Sequence, residues 1–380
     1  MPDPKQVENL LMVADSEHDA NMLYAVGMFV PDPFIYLKLR GRDHIVMSDL
    51  EIDRARKSAP HCRILAHSLY QKKLRKRGVK QPGFAHVIAA ILRERGTRKV
   101  TVPHGFPYGL ARELQKQRIA VSPRPGNFFS GREHKRNEEV KKISASLMMA
   151  EVGMAEAMQV LRSCRIARDR RLMHQNLPLT SEKLRSVIEI AILKANGQAA
   201  HTIVAGGKQG CDPHERGYGP LRAHEPIIID IFPRSMTTGY FGDITRTVVR
   251  GRATEAVRKL YDTVLQAQEV ALKKMRPGIP TLDVHKAVQD FFESHGYTTG
   301  RKNGRMQGFF HGTGHGLGLE IHEAPRMGIN SSGTIQAGQV VTVEPGLYYP
   351  AIGAVRIEDA ALITRGAPRN LTRFEKVLEI

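Results

Sequence analysis

Five side chains spread over residues 230–358 are of the types that together carry metal chemistry. Asp230 follows Pro226-Ile227-Ile228-Ile229 and precedes Ile231-Phe232, which places it inside a strand that reads as buried. An ionised carboxylate there is costly unless a partner or a metal holds it. Thirteen residues on, GYFGDITRTVVRG offers Asp243 in a second strand, across a turn containing PRSMTTG. Such a hairpin brings the two carboxylates side by side, and a bridging divalent cation relieves their repulsion. Taken singly, either aspartate would be served as well by an ion pair with Arg246 or Arg250.

The segment HGTGHGLGLEIHEAP (311–325) adds His311, His315 and His322. Its glycines argue against a helix and allow backbone to approach closely around the imidazoles. VVTVEPGLYYP then puts Glu344 at the end of an alternating strand, directly before Pro345. GAVRIEDAALIT sets Arg356 and Glu358 on one strand face and Val355 and Ile357 on the other, where the arginine and glutamate could also form a simple ion pair. Four carboxylates and one imidazole suit hard or borderline divalent ions such as Mn, Co or Zn. Two such ions a few ångströms apart can share and activate one water.

The elements that must position these groups follow from periodicity. The first third alternates short apolar strands, FIYLKL (34–39), HIVMS (44–48) and RKVTVP, with helices. One helix is expected to start at Ser48 or Asp49, one to run through GFAHVIAAILRERG (83–96), and one through YGLARELQKQ. That alternation predicts a small α/β domain. VSPRPGNFFSGREH, rich in Pro, Gly and Ser, reads as a linker. Beyond it, long helices are expected from about Lys135, from Thr180 to Gly197, from Thr254 to Met275 and from Thr281 to Gly296. Strands and turns occupy roughly 200–250 and 305–366, and the acids fall on those strands.

At 380 residues the chain suggests two domains. No apolar run is long enough to cross a bilayer, and MPDPKQVENLLMVADSEHD lacks the basic start and cleavage site of a leader. Three widely spaced cysteines, Cys62, Cys164 and Cys211, imply no disulfide framework, so a cytoplasmic setting is expected. The net charge of +19 is concentrated between Arg54 and Lys99. No nucleic-acid motif accompanies it and aromatics do not interleave, so a solvated basic face is preferred to a nucleic-acid surface.

The ordered series Asp230, Asp243, His315, Glu344, Glu358, with the segments DIFPRSMTTGYFGDITRT, HGTGHGLGLEIHE, VEPG and RIED, resembles the pita-bread metallopeptidases, and most of all their aminopeptidase P and prolidase branch. The resemblance implies a two-domain α/β chain: a creatinase-type α/β N-terminal domain over 1–130, then a pita-bread (α+β) catalytic domain over 131–380. It implies two divalent ions, Mn foremost, with Asp230 and His315 as terminal ligands, Asp243 and Glu358 bridging, and Glu344 as ligand and general base. His214, in CDPHERG, would stand near substrate entry, and His322 would hold the scissile carbonyl. His311 would act on the substrate side or behind the ligands, and Arg356 would support the site or a substrate carboxylate. The implied activity is cleavage before proline in a peptide or dipeptide, by a homodimer. A non-peptide substrate, as in creatinase-like hydrolases or lyases, is the alternative, and a basic binding module a third. The spacing from Asp230 to Asp243 is longer than the family's usual one, which predicts a reshaped loop near the metal ligands.

Overall fold

The computed structural model describes residues 8–380, so the first seven residues of the segment read for a leader lie outside the described residues. The chain divides into two compact units, the first reaching to Arg132 and the second running from Glu133 to Ile380.

In the first unit, strands β1 (Leu10–Ala14), β2 (Phe34–Leu39), β3 (Arg42–Met47), β4 (Arg63–Ala66), β5 (Lys99–Pro103) and β6 (Ala120–Arg124) form one sheet in the order β4-β3-β2-β1-β5-β6. β2 runs antiparallel to β1 and β3, while β3–β4, β1–β5 and β5–β6 pair in parallel. Helices α3 (His67–Lys76), α4 (Phe84–Glu94) and α5 (Tyr108–Lys116) cover one face, where Leu74, Val87, Ile91 and Leu114 share a core with Leu11, Ile35 and Leu37. The other face is covered by α1 (Ala20–Val26) and α2 (Ile52–Ser58). The helix expected at Ser48 or Asp49 begins later, at Ile52, because Ser48 to Glu51 first form a turn.

The second unit begins with α6 (Asn137–Ser163) and α7 (Ser181–Lys194). α7 is opened by Thr180, whose side chain accepts from the Lys183 N–H, and it stops at Lys194, short of the expected Gly197, which instead pairs in a short strand with Ser235. These helices pack on an antiparallel sheet of β7 (Ile203–Gly206), β8 (Ile227–Ile231) and β9 (Ile244–Val248). A second helix pair, α8 (Glu255–Lys274) and α9 (Thr281–Ser294), packs on β10 (Gly314–Gly316), β11 (Glu323–Met327), β12 (Val340–Val343), β13 (Gly346–Tyr349), β14 (Gly353–Arg356) and β15 (Asp359–Leu362). Each sheet thus has its own apolar layer of helices, and the two meet where Glu358 bridges to Thr245 of β9. The expected acids gather along that seam.

Candidate active site

β8 carries Asp230 in its middle, paired to Thr245 on one side and Ile203 on the other. The remaining acids sit at strand ends rather than within strands: Asp243 just before β9, Glu344 just after β12, and Glu358 between β14 and β15. Strand ends leave a carboxylate free to turn into a cavity while the strand fixes its backbone. The glycines around His315 are required by close approach. A Cβ on Gly314 would lie 2.0 Å from the Thr342 carbonyl oxygen, and one on Gly316 would lie 2.1 Å from that of Ala324.

All nine side chains singled out in the sequence line one cavity of about 700 Å³: His214, Asp230, Asp243, His311, His315, His322, Glu344, Arg356 and Glu358. Oxygen and nitrogen atoms of Asp243, His315 and Glu358 lie within 4.8 Å of one another. His315 Nε2 stands 3.6 Å from Asp243 and 3.5 Å from Glu344, while its Nδ1 lies 3.1 Å from the Gly316 carbonyl oxygen. Neither aspartate pairs with Arg246 or Arg250. Arg246 bonds Asp359, and Arg250 bonds the carbonyls of Cys164 and Ile380. Arg356 does not pair with Glu358 either; it donates to Asp230 Oδ2 at 2.6 Å and to the Tyr348 hydroxyl at 2.9 Å. His311 has both ring nitrogens engaged, at 2.8 Å from the Tyr348 hydroxyl and 2.8 Å from the Gly312 carbonyl. His214 and His322 are exposed at the mouth, and the His322 ring meets His315 edge-on at 4.4 Å between centroids.

So many acids in one buried place cannot all ionise unaided. Burial, then the neighbouring Glu358, Asp230 and Glu344, raises the Asp243 carboxyl well above its usual range. Burial and the same crowd raise Glu358 likewise. Burial pushes Glu344 up to about 8, with Asp230 adding to the rise and Arg356 opposing it. Burial, then His322, pushes His315 down to about 3, which keeps its imidazole neutral. Asp230 Oδ1 and Glu358 Oε1 are buried and have no hydrogen-bond partner among the described residues. Acceptors left bare in this way are rare and call for an explanation. Divalent cations, the family's cofactors, would answer it. They would supply the missing positive charge, and the set of carboxylate oxygens with one neutral imidazole is chemistry such ions accept.

Around this cluster the protein builds a frame that single residues in the sequence gave no reason to pick out. Thr245 donates to Glu358 Oε2 at 2.8 Å. Arg246, 1 % exposed, donates to the carbonyls of Thr245, Glu358, Phe374 and Glu375 and to Asp359. The buried pair Lys135–Glu323, at 2.9 Å, adjoins His322, and Glu323 also accepts the N–H groups of Leu319 and Glu320. Arg326, four residues past His322, lines the cavity with its side chain exposed. The long turn between Asp230 and Asp243 is held by a neighbouring segment. Ser235 and Arg234 pair with Gly197 and Gln198, and the Asn196 side chain holds Thr237, which draws the turn to the end of α7.

Residues 141–365 match metallopeptidase family M24. The chain belongs to that family. The M24 assignment makes it a metallohydrolase. It is 30 % identical over 299 residues to an Xaa-Pro dipeptidase of Pyrococcus horikoshii, covering 74 % of this chain and 75 % of that one. It is 33 % identical over 198 residues to an Xaa-Pro dipeptidase of Pyrococcus furiosus, covering 49 % and 52 %. Among solved structures, an Xaa-Pro dipeptidase from Bacillus anthracis superposes with a TM-score of 0.82 at 23 % identity, covering 98 % of this chain and 95 % of that one. An X-Pro aminopeptidase from Thermotoga maritima gives 0.81 at 20 % identity, covering 98 % and 97 %. The fold is therefore the two-domain pita-bread architecture that the sequence resembled.

Proposed function

We propose that this M24 member hydrolyses the bond before proline in Xaa-Pro substrates, dipeptides first among them. The observation that carries the proposal is the convergence of four acids and one neutral imidazole, two of the acids with bare buried oxygens, in a cavity open to solvent. Asp230 and His315 would be terminal ligands, Asp243 and Glu358 bridges, and Glu344 a further ligand. The bound ions, Mn foremost and Co or Zn as alternatives, would lower the pKa of a shared water and polarise the scissile carbonyl.

The chain's own residues would do the rest. Glu344, 3.5 Å from His315 Nε2, would take a proton from the attacking water and pass it to the leaving nitrogen. His322, at the mouth, would donate to the carbonyl oxygen as negative charge develops there. His214 would contact the substrate from the opposite lip. Arg356 would act through Asp230, fixing that ligand, and His311 through Tyr348, bracing Arg356 in turn. Arg326, whose side chain has no hydrogen-bond or ion-pair partner among the described residues, is suited to a free carboxylate, which a dipeptide presents directly after its proline. Two relatives at 30 % identity or more are Xaa-Pro dipeptidases, which supports the same choice over a non-peptide substrate. The residues up to about 130 would form the creatinase-type N-terminal domain, and a cytoplasmic homodimer is part of the proposal.

The test is metal analysis of the purified protein, coupled to a panel of Xaa-Pro peptides graded by length. Two bound ions per chain with fastest turnover on dipeptides is the expected result, and Asp243→Ala should abolish both. Metal bound with silence on every peptide would move the assignment to a non-peptide substrate. A protein that binds no divalent ion would end it.

A further inference from the structure

The cations of residues 54–99 converge in the fold. That stretch holds fourteen lysines and arginines and one acid, Glu94. In the first unit β3, β4, β5 and β6 all run in one direction, so their first residues share one end of the sheet. Helices α3, α4 and α5 end there too. His67 and Phe84, at the starts of α3 and α4, stack at 5.5 Å. Tyr70 and Lys73 of α3 reach Glu94 at the end of α4, and Arg93 beside it donates to the Gln117 carbonyl just past α5. Strand starts therefore contribute Arg42, Arg63 and Lys99 to this end, and helix ends contribute Lys76, Arg93 and Lys116, all exposed.

Cations in a last helical turn are ordinary, because they complement the helix dipole. That accounts for the helix ends and not for the strand starts. Of the acids at this end, Glu94 is engaged by Tyr70 and Lys73 and Asp43 by Tyr36 and Lys38, which leaves the exposed Glu113 of α5 beside the cations. The large exposed apolar residues of this unit, Leu50, Leu69 and Tyr108, lie elsewhere: Leu50 follows the far end of β3, and Leu69 and Tyr108 stand at helix starts. A membrane-docking surface would place them among the cations. A single-strand platform would need exposed aromatics for stacking, and among the described residues this end has none.

We infer, in place of the solvated face that the sequence alone favoured, that this end of the first unit binds the phosphate backbone of double-stranded nucleic acid without reading sequence. Cations presented by rigid strand and helix ends, with no large exposed apolar or aromatic side chain among them in the described residues, match a partner recognised by its backbone charge. The surface is separate from the metal cavity, and the inference does not depend on the hydrolase reading.

The experiment is a fluorescence anisotropy titration of the full chain with labelled 24-bp DNA and RNA duplexes over 50 to 200 mM salt. Contact with about five phosphates gives a log–log slope of about −4.5, a loss of about 500-fold in affinity across that range. Replacing Arg63, Arg98, Lys99 and Lys116 by glutamine should flatten the slope by about 3 to 4. The same charge change in the second unit, with Arg301, Lys302, Arg365 and Arg369 replaced by glutamine, should leave it unchanged. Binding to either duplex with that contrast supports the inference, and the preferred duplex identifies its source. Equal losses in the two variants would reduce it to net charge and overturn it. So would no binding at 50 mM, or binding to phosphatidylserine vesicles or polyglutamate that a duplex fails to compete away.

Discussion

Substituting Glu344 by glutamine in the metal-free protein tests the electrostatic account of the site most directly. Glu344 titrates near 8 in the folded protein, against an ordinary value of 4.5. The folded chain therefore keeps a proton that the unfolded chain releases, and stability falls as pH rises from the lower value to the higher. Glutamine cannot ionise, so the variant lacks this loss. Between pH 6 and 8 the difference amounts to about 2 kcal/mol, rounded down because the side chain keeps 20 % of its surface. For a chain of 380 residues that is about 3 °C in Tm. Glu344 also pushes up Asp243 and Glu358, so removing its charge eases both and moves the gap the same way. Thermal unfolding in EDTA should thus show Glu344→Gln gaining on the parent by about 3 °C from pH 6 to pH 8. Saturating Mn should close the gap at pH 8, since an ion at a hundred times its Kd adds about 2.7 kcal/mol to the parent. A gap that stays constant, or narrows as pH rises, would refute the reasoning.

Three further outcomes are expected. Lys135→Met leaves the Glu323 carboxylate buried and alone, so Tm should fall by about 4 to 6 °C, with part regained in the double variant Lys135→Met/Glu323→Gln, as read by calorimetry. Arg326→Met should lower kcat/KM on Xaa-Pro dipeptides by about 10- to 100-fold, the worth of a charge-assisted hydrogen bond, and spare substrates whose C-terminus is an amide. Gly314→Ala, on the strand that holds His315, drives a methyl group into the Thr342 carbonyl of β12, so it should destabilise by more than about 4 kcal/mol and lower metal content in parallel.

Much of this was legible in the sequence because long periodic segments and buried acids both leave strong signals. The helices from Lys135, Thr180, Thr254 and Thr281 were expected to within a few residues, since each combines an apolar stripe with a start or stop residue. Eight of the nine cavity residues stand in local patterns, such as an acid in an apolar run, glycines around imidazoles or an acid before a proline, while His214 was implied only by the family resemblance. What escaped were relations between distant segments. Arg356 was weighed against Glu358, two residues away, yet its partner is Asp230, brought alongside by the meeting of two sheets. Arg246 was weighed as a partner of the aspartates and instead ties four backbone carbonyls. Arg326 and Lys135 carry no local mark at all, because a lone cation reads the same whether it ends in solvent, in a cavity or in a buried pair.

The guanidinium of Arg246 joins segments that are made at very different times. It touches residue 245, then 358 and 359, then 374 and 375. A chain emerging from the ribosome exposes Asp230 and Asp243 more than a hundred residues before Glu358, and the residues that lock Glu358 in place come later still. Until that closing stretch is available, the early aspartates have neither their opposite carboxylates nor the clasp that fixes the distance between them. On the proposed ligand set, metal capture would come late in the making of this protein, and a truncated product would hold an apolar scaffold without its centre.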